Sequence, residues 1–547
     1  MALPAATARF KETPPQENAR LRCPKCGEPV VRWSQYRGVA RYRHRGNAMQ
    51  RRRQGLCDWN GTNPIGIETD QAAGLPRKRI ERLHARLKAA RGVQRYVITA
   101  AQNATPVHKR FFATLRTYCR RRGAQLIVIP YRYKNPTAFW SKVADSDDWW
   151  APELAPYLLD RRIELNPHLT LLADIKTQPT ASSPLAGFET LAGARSAIIG
   201  HPKIELTTVA TPQQKLPKIL TTTGAVTQPN YIPSKAGKKG EFHHTFGASV
   251  AEIDGDVFHL RQINALPDGS FCDLAHEYCG KNSFSARAEA LDMGDTHFWF
   301  IDPGVSKATF DGRASIVGSL KPKALVWNDV LDFYPRNHHH RGRVFIDYVK
   351  HHAGKDNVER EIDETCAFID RVTPPGARNV FVFSNHPDAL RRWVEESDPR
   401  EDPENCVFWA RTFQAMCEGS RWTDTGARTI DPFAYWAMRK LKTARQAKFL
   451  ARDESHTIKG IEVGYHGHRG PNGARGTRGA FGKVGVKTII GHSHSPGIKD
   501  GVYQVGTSSR LNLEFVEGPS SWLHTHAVIY RNGKRSLINI VEGKWRA

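Results

Sequence analysis

Short apolar runs broken by polar residues recur along the chain, and a change in their period divides it into segments. Residues 76–91, PRKRIERLHARLKAAR, set Leu83 and Leu87 four apart on one face of a basic helix, with Gly92 as a stop. The pattern then reads as a strand at 95–100, a helix over 106–120 opened by Pro106, and a second strand at 124–129. Further apolar runs fall at 170–174, 197–200, 204–210, 248–253 and 257–262. Residues 212–240 carry Lys215, Lys218, Lys235, Lys238 and Lys239 among Thr, Gly and Pro, which predicts a loop or extended segment rather than a core element. From about residue 286 apolar runs end repeatedly in polar residues: EALDMGDTH, KALVWNDVLD, NVFVFSNHPD, GIEVGYHGH and KTIIGHSH. Helices are expected through 387–396 and from Asp431 as cap with Pro432 in the first turn. HAVIYRNGKRSLINIV predicts a hairpin turning at Asn532-Gly533.

The fold class is therefore α/β. The expected organisation is a flexible tail over 1–20, a basic module and helix over 21–92, an α/β accessory domain over 93–285, and a second α/β domain over 286–547 that carries the candidate chemistry. A chain of 547 residues is too long for one simple core, which agrees with several domains. No run of 18 apolar residues occurs, so no membrane span is expected, and the first 20 residues lack a secretory pattern. The cysteines are spread irregularly, which points to a reducing, cytoplasmic setting rather than a disulfide framework.

Charge narrows the partner. The net charge is +26, and residues 1–90 alone hold 19 Lys and Arg against 7 Asp and Glu, a balance of +12. Such an excess favours polyanions, and nucleic acid is the expected partner. Within that stretch Cys23-x-x-Cys26 has the spacing of half a structural zinc site, with Cys57 and His44 as the candidates to close it, in a small zinc-ribbon-like module. The alternative is a hairpin with buried cysteines. Arg51, Arg52 and Arg53 would face the partner and track phosphates.

Functional groups in α/β folds gather beyond the carboxyl ends of strands. Here each expected strand ends in residues able to ligate a metal: Asp295 and His297, Asp329, Asn385 and His386, His466, and His492 and His494. One such residue means little, but five strand ends in succession point to a two-cation site. That arrangement suits phosphate ester hydrolysis, because paired cations clamp the anionic substrate and acidify a water. Mixed oxygen and imidazole donors favour Mn²⁺, Fe²⁺ or Zn²⁺ over Mg²⁺.

The order D-x-H, D-x-x-D, N-H, H, G-H-x-H over about 288–541 resembles the calcineurin-like metallophosphoesterase superfamily. The resemblance implies a two-sheet β sandwich flanked by helices, with two metals at one edge. It implies that Asp295, His297 and His494 hold the first metal, Asp329 bridges, and Asn385, His466 and His492 hold the second. It also implies that His386 contacts the phosphate and protonates the leaving group, with Asp332 in support. Asn328 stands where the family has Gly, and Asp388 falls one place late after Ser384-Asn385-His386-Pro387. Tyr465-His466-Gly467-His468 offers His468 as an alternative ligand.

Val330-Leu331-Asp332, Asn337 to His340 and Gly470-Pro471-Asn472-Gly473 resemble phage-encoded members, most of all the pre-early nucleases of T5-like bacteriophages that degrade host DNA. That resemblance implies a Mn²⁺-dependent DNase on double-stranded DNA in the host cytoplasm. His338, His339 and His340 are read either as a polar loop beside the site or as groups that position substrate. Residues 468–479, HRGPNGARGTRG, read as a loop passing near phosphate, with Arg469, Arg475 and Arg478 as candidate contacts. Asn103, Thr105, His108, Lys134, Asp174, Lys176 and Thr177 mark either a second binding site or polar strand ends. Two other readings stay open, a phosphomonoesterase or nucleotide phosphodiesterase on a small substrate and a non-catalytic nucleic-acid-binding protein. A homo-oligomer is also left open.

Overall fold

The computed structural model describes residues 23, 30–36, 39–44, 57, 60–61, 76–90, 92–133, 149–213, 215–514 and 516–546. Two sheets frame the second half of the chain. A six-stranded sheet runs in the order Ala447–Phe449, Arg378–Phe381, Ala324–Trp327, Ala290–Asp292, Thr525–Ile529, Arg535–Asn539. Its first four strands are parallel, and the last two form the antiparallel hairpin read from Asn532-Gly533. Successive side chains leave opposite faces of a strand. Ala324 and Val326 accordingly join one core with Ile461, Ile489, Tyr503 and Val505 of a facing sheet. Leu325 and Trp327 join another, with Ile362, Ile369, Leu390 and Phe433 from helices Val358–Val372, Asn385–Glu396 and Pro432–Lys440. The last of these helices is capped as expected, with Asp431 accepting from the backbone N–H groups of Phe433 and Ala434.

The facing sheet has ten strands, and it takes them from both the 93–285 and the 286–547 segments. Thr457–Ile458, Ile461–Glu462, Thr488–Ile490, Val502–Gln504 and Gly497–Lys499 pass directly to Leu206–Val209, Lys218–Thr222, Ser196–Ile199, Leu169–Leu171 and Ile163–Asn166, joined where Ile498 pairs with Leu206. A separate four-stranded sheet contains Gln94–Gln102 and Gln125–Tyr131, parallel about helix Lys109–Arg122. That helix starts later than Pro106 suggested, because the His108 side chain caps it by accepting from Phe111 N at 3.1 Å. The strand Val257–Asn264 of this sheet lies along Arg535–Asn539. Side chains link the two, Asn539 Oδ1 accepting from Leu260 N and Ser536 Oγ from Gln262 N, both at 3.0 Å.

The 212–240 segment departs from its loop reading. Lys218–Thr222 is a strand inside the ten-stranded sheet with Ile219 and Leu220 buried, and Lys235–His243 is a helix capped by Ser234. The Lys and Pro residues around KILTT hide its β-branched content. Thr221 and Thr222 donate their hydroxyls to the carbonyls of Glu205 and Lys203, so their polarity is satisfied inside the sheet.

One buried carboxyl supports the loop that carries Asp332. Glu361 Oε1 accepts from Phe333 N at 2.9 Å, while Oε2 has no partner among the described residues. Burial, reinforced by the Asp332 charge, pushes the Glu361 carboxyl well above its ordinary range. Its stabilising contribution is therefore complete below the unfolded value of about 4.3 and is lost as pH rises toward the folded value. Glu361→Gln keeps the oxygen that accepts from Phe333. It should raise Tm by roughly several degrees at pH 8 and leave it unchanged at pH 4 in thermal denaturation. An equal shift at both pH values would contradict this.

Candidate metal centre

The parallel neighbours Ala290–Asp292, Ala324–Trp327 and Arg378–Phe381 deliver Asp295 and His297, Asp329, and Asn385 and His386 at the same sheet edge. Across from them, the parallel pair Ile461–Glu462 and Thr488–Ile490 delivers His466, His492 and His494. Three ligand groups result, each with its donor atoms within 4.8 Å of one another: Asp295, His297 and His494; Asp329, His466 and His492; and His297, Asp332 and His386. The backbone bends sharply to achieve this. His297, Asp329, His492 and His494 all have positive φ, at 42°, 38°, 72° and 57°. Side chains rarely adopt that conformation without compensation elsewhere, and its concentration here marks a functional site.

The donor set fits cations. Asp295 and Asp329 are 0% and 2% exposed, so two carboxylates lie close together away from water. His297 Nδ1 donates to Asp332 Oδ1 at 2.8 Å, which turns the His297 Nε2 lone pair inward, 3.2 Å from His494 Nε2. His494 Nε2 is also 3.1 Å from Asp295 Oδ2. His466 Nε2 lies 2.9 Å from Asp329 Oδ2 without hydrogen-bond alignment. Asp295 Oδ1 and Asn385 Oδ1 are buried with no partner among the described residues. Carboxylate oxygens and imidazole nitrogens that converge this closely are the donor set that divalent ions take.

Electrostatics agree. Burial alone would raise the Asp295 and Asp329 carboxyls. The neighbouring histidines together outweigh it, His466 with His494 at Asp295 and His466 with His386 at Asp329, and both are held below the usual carboxylate range. Burial disfavours a charged His297, yet the Asp332 hydrogen bond and the surrounding carboxylates lift it to about 9. This position therefore favours positive charge. Burial, with His466 nearby, instead lowers His492 to about 4 and His468 to about 3, which leaves both neutral.

Supporting residues fix the ligands. Asp332 holds His297 through its carboxylate and accepts from His386 Nδ1 through its backbone carbonyl at 2.8 Å. His386 N faces Asp329 Oδ1 at 3.4 Å, and its ring stays partly open to solvent. Asn328, the residue in place of Gly, donates to Asp292 Oδ1 at 2.8 Å and presents its oxygen to His466 Nδ1 at 3.3 Å. It thereby orients the His466 ring, a role that its motif position alone did not reveal. Gly491 is required by space, because a Cβ there would collide with Asp295 Oδ1 and crowd His466 Nδ1. Trp522 packs edge-on against His494 with ring centroids 4.1 Å apart. It lies in a segment with no motif, so no sequence signal marked it.

Other candidates separate clearly. His468 lies beside the second group, its ring centroid 5.6 Å from His466 and 6.1 Å from His492, but it belongs to none of the three groups. His339 is exposed, lies against His338 with the rings tilted by 39°, and is likewise outside them. Asp388 binds Arg391 and Arg452 and ties its helix to the 451–453 turn. Arg469 and Arg475 are exposed and pair across a small loop. Arg478 turns inward instead and donates to the Ser495 carbonyl at 3.1 Å and Gln504 Oε1 at 3.2 Å, so its guanidinium is engaged by the protein itself. Thr105, Lys176 and Thr177 donate to backbone carbonyls, Asn103 Oδ1 accepts from Tyr133 N, and Asp174 pairs with Arg162. These are polar strand ends satisfied locally, and Lys134 lies outside the described residues.

In the amino-terminal module Cys23, His44 and Cys57 also come within 4.8 Å of one another, with the two sulfurs 3.8 Å apart. They sit beside a three-stranded sheet of Val31–Tyr36, Val39–Arg43 and Asn60–Gly61. Cys26, Arg51, Arg52 and Arg53 lie outside the described residues.

An α/β scaffold whose parallel strand ends gather aspartates and histidines into adjoining groups defines a metal-binding, hydrolase-like active site. The chain is 32% identical over 518 residues to Protein A1 of Escherichia phage T5, across 90% of this chain and 91% of that protein. It belongs to the family of that protein. No protein-family model and no solved structure matches the chain. No helix among the described residues is long and apolar enough to cross a membrane.

Proposed function

We propose that the protein is a metallophosphoesterase of calcineurin-like architecture, a nuclease that hydrolyses the phosphodiester bonds of duplex DNA and degrades host DNA during phage infection. The observation that carries this reading is the pair of ligand groups, Asp295, His297, His494 and Asp329, His466, His492, formed where strand ends of the two facing sheets meet. In this reading Asp295, His297 and His494 hold the first cation, Asp329 bridges, and Asn385, His466 and His492 hold the second. Two divalent ions, Mn²⁺ ahead of Mg²⁺, Fe²⁺ or Zn²⁺, supply charge neutralisation and an acidified water when bound. Asp332 sets the tautomer and direction of His297. His386 contacts the phosphate. Its Nδ1–H is tied to the Asp332 carbonyl, which leaves Nε2 to carry a proton to the departing oxygen. Neutral His468 and the Trp522 face line the approach.

DNA as substrate is supported by the charge of the amino-terminal segment and by exposed Arg469 and Arg475 beside His466. Cys23, His44 and Cys57 would hold a structural zinc ion, for which the Cys23-x-x-Cys26 spacing offers Cys26 as a fourth ligand, and the run Arg51, Arg52 and Arg53 would supply phosphate contacts. Residues 93–285 act as accessory scaffold and 286–547 as the catalytic part. Deleting residues 1–70 should weaken binding to duplex DNA and flatten its salt dependence, while hydrolysis of bis(4-nitrophenyl) phosphate persists. Binding titrations at several salt concentrations and a colorimetric assay measure the two effects. Loss of both would place the module in the catalytic core. Faster hydrolysis of 4-nitrophenyl phosphate than of duplex DNA would overturn the substrate assignment.

A further inference from the structure

A cavity of about 200 Å³ opens beside the metal centre, between the 335–342 loop, Lys350 and helix Asn385–Glu396. His386 stands in the first turn of that helix, and Ala389, Arg392 and Trp393 carry the same helix into the cavity wall. At 1.5 Å per residue the wall begins about 5 Å beyond His386 along the axis.

Much of the charge on the wall is paired within the protein. Arg336 grips Asp402 through two bonds of 2.6 Å, Arg392 reaches Glu396 at 3.3 Å, and Asp398 binds Arg400. Two donors are left under-used. Lys350 is 2% exposed, yet its ammonium has only the Pro335 carbonyl at 3.4 Å, Asp347 at 3.9 Å and the Tyr334 ring, 4.8 Å to its centroid. His340 is 5% exposed and its Nε2 meets Glu514 at 2.9 Å, so its ring proton is engaged by the protein itself. Arg341 is exposed at the cavity mouth and takes part in no salt bridge among the described residues. A buried ammonium with unused N–H bonds is costly, and nearby anionic oxygen relieves that cost. The Lys350 anchor places the cavity next to the reaction, because Tyr334 is two residues past Asp332.

We propose that this cavity binds the phosphate of the nucleotide adjoining the scissile one, with Lys350 and Arg341 as its donors. This inference rests on the phosphodiesterase reading above. It gives the enzyme a preference for strands with at least two phosphates over isolated phosphate esters.

The test compares kcat/KM in Mn²⁺ for three thymidine dinucleotides, one with the single diester alone, one with an added 5′-phosphate and one with an added 3′-phosphate. The full-length wild type should prefer one phosphorylated form over the bare dinucleotide by roughly tenfold or more, the scale of a charge-assisted contact. Arg341→Ala and Lys350→Gln should each reduce that ratio, and the double variant should bring it near unity. A partly unfolded preparation lowers all rates alike, so the ratio still reads the site. No preference in the wild type, or a ratio unchanged in both variants, overturns the cavity's role while leaving the hydrolase reading intact. Failure to cleave any of the three overturns both.

Discussion

Asp329→Ala is expected to lower Mn²⁺-dependent DNA hydrolysis on the order of 10³-fold or more while duplex affinity stays close to wild type. Asp329 belongs to the second ligand group, and its charge also acts on Asp295 and His297 of the first. Its Oδ2 lies 2.9 Å from His466 Nε2 and its Oδ1 lies 3.4 Å from His386 N. Its backbone is held at φ 38°, a conformation that suits the site rather than the residue. In the proposed reading, removing the carboxylate takes away the group that would serve both cations, and it frees His466 and His386 from their common partner. In the proposed reading, affinity for DNA would rest instead on basic residues distributed away from this point. Asp329→Asn keeps the shape and should retain the fold, so loss of turnover in both variants separates chemistry from misfolding. Turnover within about tenfold of wild type would refute the bridging role.

Gly491→Ala is expected to have the next largest effect, although it adds a single methyl group. Gly491 has no left-handed φ, so the backbone itself tolerates alanine. The added Cβ would collide with Asp295 Oδ1 and press on His466 Nδ1 and Asn328 Cγ. The Asp295 carboxylate must then rotate, and both the first group and the orientation of His466 are lost together. Mn²⁺ affinity should fall roughly 10–100-fold, the scale for misplacing a ligand or its support. Calorimetric titration of the metal-free protein measures this, with circular dichroism to confirm the fold. Wild-type Mn²⁺ affinity would contradict the packing account.

The ligand residues were legible because each sits where a short apolar run stops, and parallel strands align such stops on one edge. Leu325 and Trp327 against Ala324 and Val326 show the period-2 alternation that made those runs readable as strands. The 212–240 segment was not legible, since the flanking lysines and prolines outweighed a five-residue strand whose threonines are satisfied only by distant carbonyls. Nor was the ten-stranded sheet, because the pairing of Ile498 with Leu206 spans almost 300 residues and leaves no local pattern. Arg478 looked like its neighbours Arg469 and Arg475. Only the fold reveals that Ser495 and Gln504 accept its guanidinium. Asn328 was visible only as a departure from a motif, and its contacts to Asp292 and His466 explain why an amide suits that place.

The most direct test of the two-cation centre is a Mn²⁺ titration of metal-free protein, read by cleavage of linear duplex DNA and, in parallel, of a phosphomonoester. The account predicts DNA cleavage that rises with added Mn²⁺, reaches its plateau only when both catalytic sites are filled, and exceeds phosphomonoester hydrolysis. DNA cleavage that persists without metal, or a protein that leaves DNA intact while hydrolysing the monoester, would contradict it.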